Sequence, residues 1–550
     1  MASLAQALEN ALTRLDELTG SAPRLAVSAY GPSVFARPGV VRGDDLLIVC
    51  ERYANGLREH RRIVDGHEFR FLIADRSLIE SDVQKGTFGD YFTEQFLYPY
   101  RPIINLEYLH KVAVEAKARV AQEEARDLAL EHGEMVRGVV ALPEFFGLSR
   151  MRKLSRVFVP SMSAYLRLLE PTVRDRNLAV LQAAFREAIS LAGDGELTLD
   201  GDYVSLEDFA VDRWLKSRAS EQVVNVFRQS QRALYSYLAK GRALYLSPEL
   251  LARELYSPLK FVLDPELDRI EPENPKNHLF LRTSEGLVPF NSQATIEQII
   301  TEMKLGWPVT ISPLAGVLNE VSLITAKSQQ LVAKRFTDWH NFKWFTLNIV
   351  SIGTKLFAVS GKARMRNEYG MNRYLAKRDI KVPEIVYLSV KQRILVERYL
   401  AGVSLADFAK QTANQVRLVE KQKQVAENLG KTLSRIHRIG VTVGDAKPEN
   451  FLALNEEIYT VDLEQAGKRG DKAWDIAELL FYAGHYSTGP VASRGVLEFT
   501  EAFVRGYLRN GYAADLKKAA GIRYSKVFSI WTPAPILFEM SRILNDAKSV

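Results

Sequence analysis

Apolar residues recur at helical spacing through the first twenty positions. Leu4, Leu8, Leu12, Leu15 and Leu18 fall on one face and Gly20 ends the run, which predicts an amphipathic helix. The period then changes. Arg24 to Tyr30 leads into Gly31-Pro32-Ser33, Asp44-Asp45 precede the apolar strand Leu46 to Cys50, and a further strand runs from Phe69 to Ala74 and ends at Asp75. From Leu106 to about Asp264 the pattern is mostly helical. Leu106, Leu109 and Val112 open a long charged helix that stops near Gly133, and Val223, Phe227, Leu234 and Leu238 mark another that stops at Gly241. Pro265, Pro272 and Pro275 in a charged stretch read as a linker or domain edge.

A third pattern begins near Met303. Val321 to Ala326 and Leu331 to Phe336 flank Lys-Ser-Gln-Gln and predict a hairpin, while Lys362 to Lys377 has helical composition. On that helix Glu368 shares a face with Met371 and Leu375, so it points inward, where a carboxylate is costly unless paired. The predicted fold class is a multidomain α/β and α+β chain: a mixed α/β domain over 1–105, a mainly helical region with linker over 106–300, and a third domain over 301–550.

Composition narrows the class. With 47% hydrophobic and 25% charged residues among 550, there is apolar material for several cores. The net charge of +7 permits an acidic partner such as RNA or a nucleotide, but a solvated surface explains it without one. Arg150, Arg152, Lys153 and Arg156 form a short basic cluster without interleaved aromatics, which predicts a solvated helix face rather than a nucleic-acid contact. Cys50 is the only cysteine, which excludes an intramolecular disulfide and a cysteine-based zinc cluster, and the eight histidines show no H-E-x-x-H. No apolar run reaches the ~18 residues of a membrane span; Lys355 interrupts the best candidate, Trp344 to Val359. The first twenty residues lack a basic start and apolar core, so the expected location is cytoplasmic.

The densest chemistry lies between Val443 and Asp475. Asp445 and Asn450 stand five positions apart, the interval between the aspartate and asparagine of H-R-D-L-x-x-x-N. Such an aspartate accepts the proton of an attacking hydroxyl and such an asparagine holds a metal ion. Lys447 is placed to neutralise charge on a transferring phosphoryl group, and Pro448 stiffens the loop. Ile458 to Val461 reads as a strand that delivers Asp462 as the second metal carboxylate. Upstream, Lys334 closes Leu-Val-Ala-Lys, much like the phosphate-gripping lysine of V-A-I-K, with Glu368 as its partner. Pro313 to Glu320 holds one glycine, which makes Gly316 and Asn319 the candidates for covering the phosphates.

With Val382-Pro-Glu-Ile-Val386, Ile394 to Gly402, Leu433 to Gly440, Val443-Gly-Asp445 and Asp462-Leu-Glu, about Val309 to Ala483 resembles the compact atypical kinases. These include the RIO kinases, the small kinase of the KEOPS complex and the aminoglycoside phosphotransferase-like enzymes. The resemblance implies a bilobal protein-kinase-like fold using ATP and Mg2+. It implies Asp445 as catalytic base, Asn450 and Asp462 as metal ligands, Lys334 as phosphate contact and Glu368 as its orienter. It further implies a hinge at Glu397 and Tyr399 whose backbone meets the adenine, and Asp475 as the buttress of the catalytic loop. Val443 stands where a histidine is usual, Leu463-Glu464 replace Phe-Gly, and no A-P-E segment follows. Three functions stay open: an atypical Ser/Thr protein kinase or ATPase of RIO or KEOPS type, a small-molecule kinase, and a quiet nucleotide-binding scaffold. Asp44 and Asp45 after the glycine-serine turn weakly resemble a degenerate nucleotidyltransferase domain, although adjacent residues on a strand face opposite ways.

Overall fold

The structure, a computed structural model, describes residues 4–13, 15–38, 43–156, 159–216, 273–314, 319–327, 329–338, 360–487 and 494–548. Gly316, the predicted helix from Val223 to Gly241, Pro265, Pro272 and the apolar stretch 344–359 lie outside them. The chain divides into two compact units, residues 1–131 with 140–280, and residues 132–139 with 281–550.

In the first unit the predicted opening helix is shorter, Leu4–Thr13 (α1), followed by one separate turn at Asp16–Thr19. Ala7, Ala11, Leu15 and Leu18 are buried with Ile48 and Phe71 in one core. The sheet contains β1 (Arg24–Tyr30), β2 (Asp44–Cys50), β3 (Leu57–Val64), β4 (His67–Asp75) and β5 (Arg101–Ile104), in the order β3-β4-β2-β1-β5. Strands β2 and β4 run parallel, and the other neighbours in this sheet are antiparallel. The polar strand β3 has no apolar alternation to announce it. It is set by the Asp65-Gly66 turn, where both φ angles are positive (52° and 86°), the conformation an Asp-Gly hairpin turn uses.

The long helix α2 spans Leu106–His132, as its pattern predicts. The region after it also holds strand β6 (Val139–Ala141), helix α3 (Glu144–Ser155), and the hairpin of β7 (Leu197–Asp200) and β8 (Tyr203–Leu206), which adds a small sheet to the expected helices. The basic cluster is a solvated face only in part: Arg156 is exposed, but Arg150 and Lys153 on α3 are paired. Arg150 is buried and pairs with Asp90 (2.7 Å), Glu123 (2.6 Å) and Glu124 (2.9 Å), while Lys153 pairs with Glu124 and Asp127, both at 2.7 Å. Four acidic groups from elsewhere in the unit claim these cations, information that a local charge run does not contain.

The second unit contains an antiparallel sheet. Strands β9 (Thr310–Leu314), β10 (Glu320–Thr325), β11 (Gln330–Arg335), β12 (Ile385–Ser389) and β13 (Ile394–Arg398) take the order β9-β10-β11-β13-β12. Helix α4 (Gly361–Ala376) links β11 to β12 in sequence. The rest is mainly helical: α5 (Glu420–Arg438), the hairpin of β14 (Phe451–Leu454) and β15 (Glu457–Thr460), α6 (Lys472–Gly484), α7 (Arg494–Leu508) and α8 (Ala534–Asn545). Leu429, Leu433 and Ile436 on α5 bury against a core containing Leu479, Phe503, Tyr507 and Met540. Helices α5 and α7 meet almost backbone to backbone. A Cβ at Gly430 would sit 2.1 Å from the Phe503 carbonyl oxygen, and one at Gly506 would sit 1.9 Å from that of Glu427.

Residues 132–139, which begin at the last residue of α2, belong to this unit. Their 3₁₀ turn, Gly133–Gly138, lies along α4. Tyr369 donates its hydroxyl to the Gly138 carbonyl at 3.0 Å, and the Arg137 guanidinium stands 4.7 Å from the centre of the Tyr374 ring. A Cβ at Gly370 would come within 2.2 Å of the Glu134 carbonyl oxygen. No helix among the described residues is long and apolar enough to cross a membrane.

Candidate active site

Strand alternation sends Leu331 and Ala333 of β11 into the sheet's core and turns Val332 and Lys334 to the other face. Glu397 lies opposite Val332 across the β11–β13 ladder, so its side chain shares that face. Lys334 Nζ is 3.2 Å from Glu368 on α4 and 3.0 Å from Glu397. Burial alone would push the ammonium down, but Glu368, Glu397 and Asp462 outweigh it and hold it well above the usual lysine range. Glu368 is pushed up to about 7, by burial first; Lys334 opposes the rise, and Asp462 and Glu397 add to it.

Glu397 therefore enters the site through its carboxylate, whereas the hinge reading considers only its backbone. The Tyr399 N–H donates to the Gln330 carbonyl at 3.0 Å and its ring is exposed, so that N–H is already engaged within the sheet.

The catalytic-loop candidates are held from below by α6. Asp475 accepts the backbone N–H of Val443 (2.7 Å) and of Gly444 (2.9 Å), and Gly444 takes a φ of 82° that suits glycine. His437 of α5 approaches Asp475 at 3.1 Å through Nε2 and the Tyr507 hydroxyl at 2.8 Å through Nδ1. An imidazole thus supports the loop from α5, with Val443 in the position where the motif usually carries histidine. Glu478, one turn after Asp475, accepts the Ala446 N–H at 2.8 Å and the Trp474 indole N–H at 3.0 Å. Sequence reasoning misses Glu478, although its i+3 spacing from Asp475 on a helix is a usable signal.

Above this support, Lys447 Nζ is 2.8 Å from Asp445. Burial opposes the charge on Lys447, but Asp445 and Glu478 keep the ammonium above its ordinary range. Asn450 donates its amide to the Asp445 carbonyl oxygen at 2.7 Å, and its own backbone carbonyl accepts the Val461 N–H at 2.9 Å, which ties the loop to the segment delivering Asp462. Asp462 is raised to about 7, chiefly by burial and then by Glu464, against the pull of Lys334. Asp445 and Glu397 also act on it, so the charges of both halves of the unit meet at this carboxyl.

The oxygen-only donors of Asn450 and Asp462 suit Mg2+, which usually takes one or two protein carboxylates and fills its octahedron with phosphates and water. No group of three or more histidine, cysteine or acidic ligands occurs among the described residues. The Asn319 side chain is engaged within the protein at both ends. Its amide donates to Glu464 at 2.9 Å and its carbonyl accepts from Arg364 at 2.8 Å.

In the first unit the two adjacent aspartates diverge. Arg70 grips Asp45 with two bonds, 3.0 and 2.5 Å, while Asp44 meets Arg101 at 3.5 Å. Carboxylates neutralised separately on opposite faces do not assemble a two-metal centre.

Residues 352–503 match the family model described as Lipopolysaccharide kinase (Kdo/WaaP) family, a span that includes α4, α5, the loop around Asp445, α6 and most of α7. This match does not show the RIO or KEOPS type. A comparison with curated proteins finds no match. Among solved structures, the one described as WaaP in complex with acyl carrier protein is 17% identical, covering 45% of this chain and 92% of that one, with a TM-score of 0.28. The microcompartment-associated aminopropanol kinase is 12% identical over 46% of this chain and 94% of its own, with a TM-score of 0.27. By the family match and the arrangement of its own elements, the C-terminal unit has a protein-kinase-like fold.

Proposed function

We propose that the second unit is an ATP-dependent phosphotransferase that moves the γ-phosphoryl group to a hydroxyl of a carbohydrate-bearing or other small acceptor. The observation that carries the reading is the convergence of Lys334, Asp445 and Asp462 on one largely buried patch, with Asn450 tying the Asp445 loop to Val461, the residue before Asp462. In this reading Lys334 holds the phosphates, while Glu368 and Glu397 fix its ammonium. Asp445 orients the acceptor hydroxyl and takes its proton, and Lys447 offsets charge beside it. Asn450 and Asp462 would hold Mg2+, which when bound neutralises charge on the phosphate oxygens.

The family match of residues 352–503 supports a non-protein acceptor over the Ser/Thr protein reading. The short path from Asp462 to α6 at Lys472 supports it too, since it leaves little chain for docking a peptide. The test is transfer of labelled γ-phosphate with Mg2+ to a panel of hydroxylated sugars, amino alcohols and saccharide-bearing lipids, with Asp462→Ala as control. Label on a small acceptor from wild type alone supports the proposal. Label only on protein would replace it with the protein-kinase reading, and equal label from the control would remove Asp462 from the chemistry.

A further inference from the structure

Arg364 is wholly buried on α4, one turn before Glu368. One of its terminal nitrogens donates at 2.8 Å to Glu464 and at 2.8 Å to Asn319, and the other donates to the Thr337 carbonyl just beyond β11. The Asn319 amide shares the same Glu464 oxygen at 2.9 Å, and Asn367 donates to the Glu464 backbone carbonyl at 3.3 Å. Three pieces of chain that are far apart in sequence are thus fastened at one point.

What they fasten lies two residues away. Asp462 has a φ of +60°, a left-handed conformation that a non-glycine residue keeps only when its surroundings over-determine it. Leu463 is anchored in the helical core, and Glu464 is the residue whose side chain and backbone are both bound by α4. Helix α4 therefore makes two contacts on one face: Glu368 to the phosphate lysine and Arg364 to the segment carrying the metal carboxylate.

We infer that Arg364 and Glu464 are a positioning pair that holds Asp462 at the metal position and registers it to Lys334 through α4. The inference rests on the phosphotransferase reading. Glu464 stands where Phe-Gly would give a movable segment, and its bonds to Arg364 and Asn367 make that segment a fixed part of α4's seating.

Removing one partner would strand a buried charge, so the informative variant removes both, Arg364→Met with Glu464→Leu, which apolar volume can fill. Calorimetry on the full chain, titrating ATP with and without Mg2+, gives a readout independent of turnover. The expected result is a cooperative melt, unchanged metal-free ATP affinity, and a Mg2+ requirement raised about 10- to 100-fold, the usual cost of losing a partner that orients a metal ligand. A wild-type Mg2+ response in the double variant overturns the inference. Should that variant not fold, Glu464→Gln decides by the same titration, and an unshifted Mg2+ requirement there overturns it equally. Absence of Mg2+-dependent ATP binding in the wild type overturns the phosphotransferase reading and this inference with it. Wild-type binding with an unchanged variant overturns this inference alone.

Discussion

Protonation of Glu368 and Asp462 couples the chemistry of the cleft to the stability of the fold. Both carboxyls titrate near 7 when folded, against ordinary values of 4.5 and 3.8. The folded chain therefore binds more protons than the unfolded one between about pH 4 and 7. Their contribution to stability falls as pH rises through that window and levels off above it. Glu368→Gln should melt like wild type near pH 4.5 and gain on it progressively up to pH 7. A melting difference independent of pH would contradict the raised carboxyl. Asp462→Asn should abolish transfer while raising the melting temperature, because a costly buried charge is traded for a neutral amide. Lys334→Met should lower kcat roughly 10²- to 10³-fold and also destabilise, since it leaves Glu368 and Glu397 without their cation.

At this scale the sequence is informative where spacing is local and silent where pairing is tertiary. Asp445 and Asn450 lie five residues apart, and the Lys334–Glu368 pair follows from an inward-facing glutamate that needs a cation. Arg364 with Glu464 spans 100 positions, and the inward turn of Glu397 depends on strand register. Nothing in either local stretch specifies such a partner.

Among the elements, α2 and α5 follow their apolar periods, because each buries one face against a core, whereas β1 is buried on both faces, with Ala26 and Tyr30 in one core and Val27 and Ala29 in another. The edge strand β3 escapes detection because Arg58, Glu59, His60, Arg61 and Arg62 give it no apolar face, and only its Asp-Gly turn betrays it. Arg150 in the basic run on α3 misleads for the opposite reason: charge suggests exposure, whereas pairing with Asp90, Glu123 and Glu124 lets it be buried. The crossing of α5 and α7 makes a sharp prediction. Gly506→Ala drives a methyl into the Glu427 carbonyl and should destabilise by about 1–3 kcal/mol, read by denaturant unfolding of the full chain. Gly430→Ala should behave alike, with the Phe503 carbonyl in its way.

For the whole molecule, the amino-acid pattern places a boundary near residue 300, yet the second unit also claims 132–139. That segment ends a long charged helix, and its apolar positions do not reveal that Gly138 and Glu134 will pack on α4. Gly370→Val in the full chain should displace α4 from this segment. The expected result is a higher KM for ATP together with a lower melting temperature, since α4 carries the glutamate that orients Lys334.

The same eight residues bear on inheritance as well as on packing. The chain visits the second unit, leaves it and returns, so no single cut separates the two units. A fragment beginning at residue 281 would carry every named residue of the candidate site except the support beneath α4. Grafted onto another protein, or retained alone after a gene truncation, it would have the catalytic side chains without the piece that seats their helix. Supplying 132–139 in trans as a peptide should recover part of the lost ATP affinity.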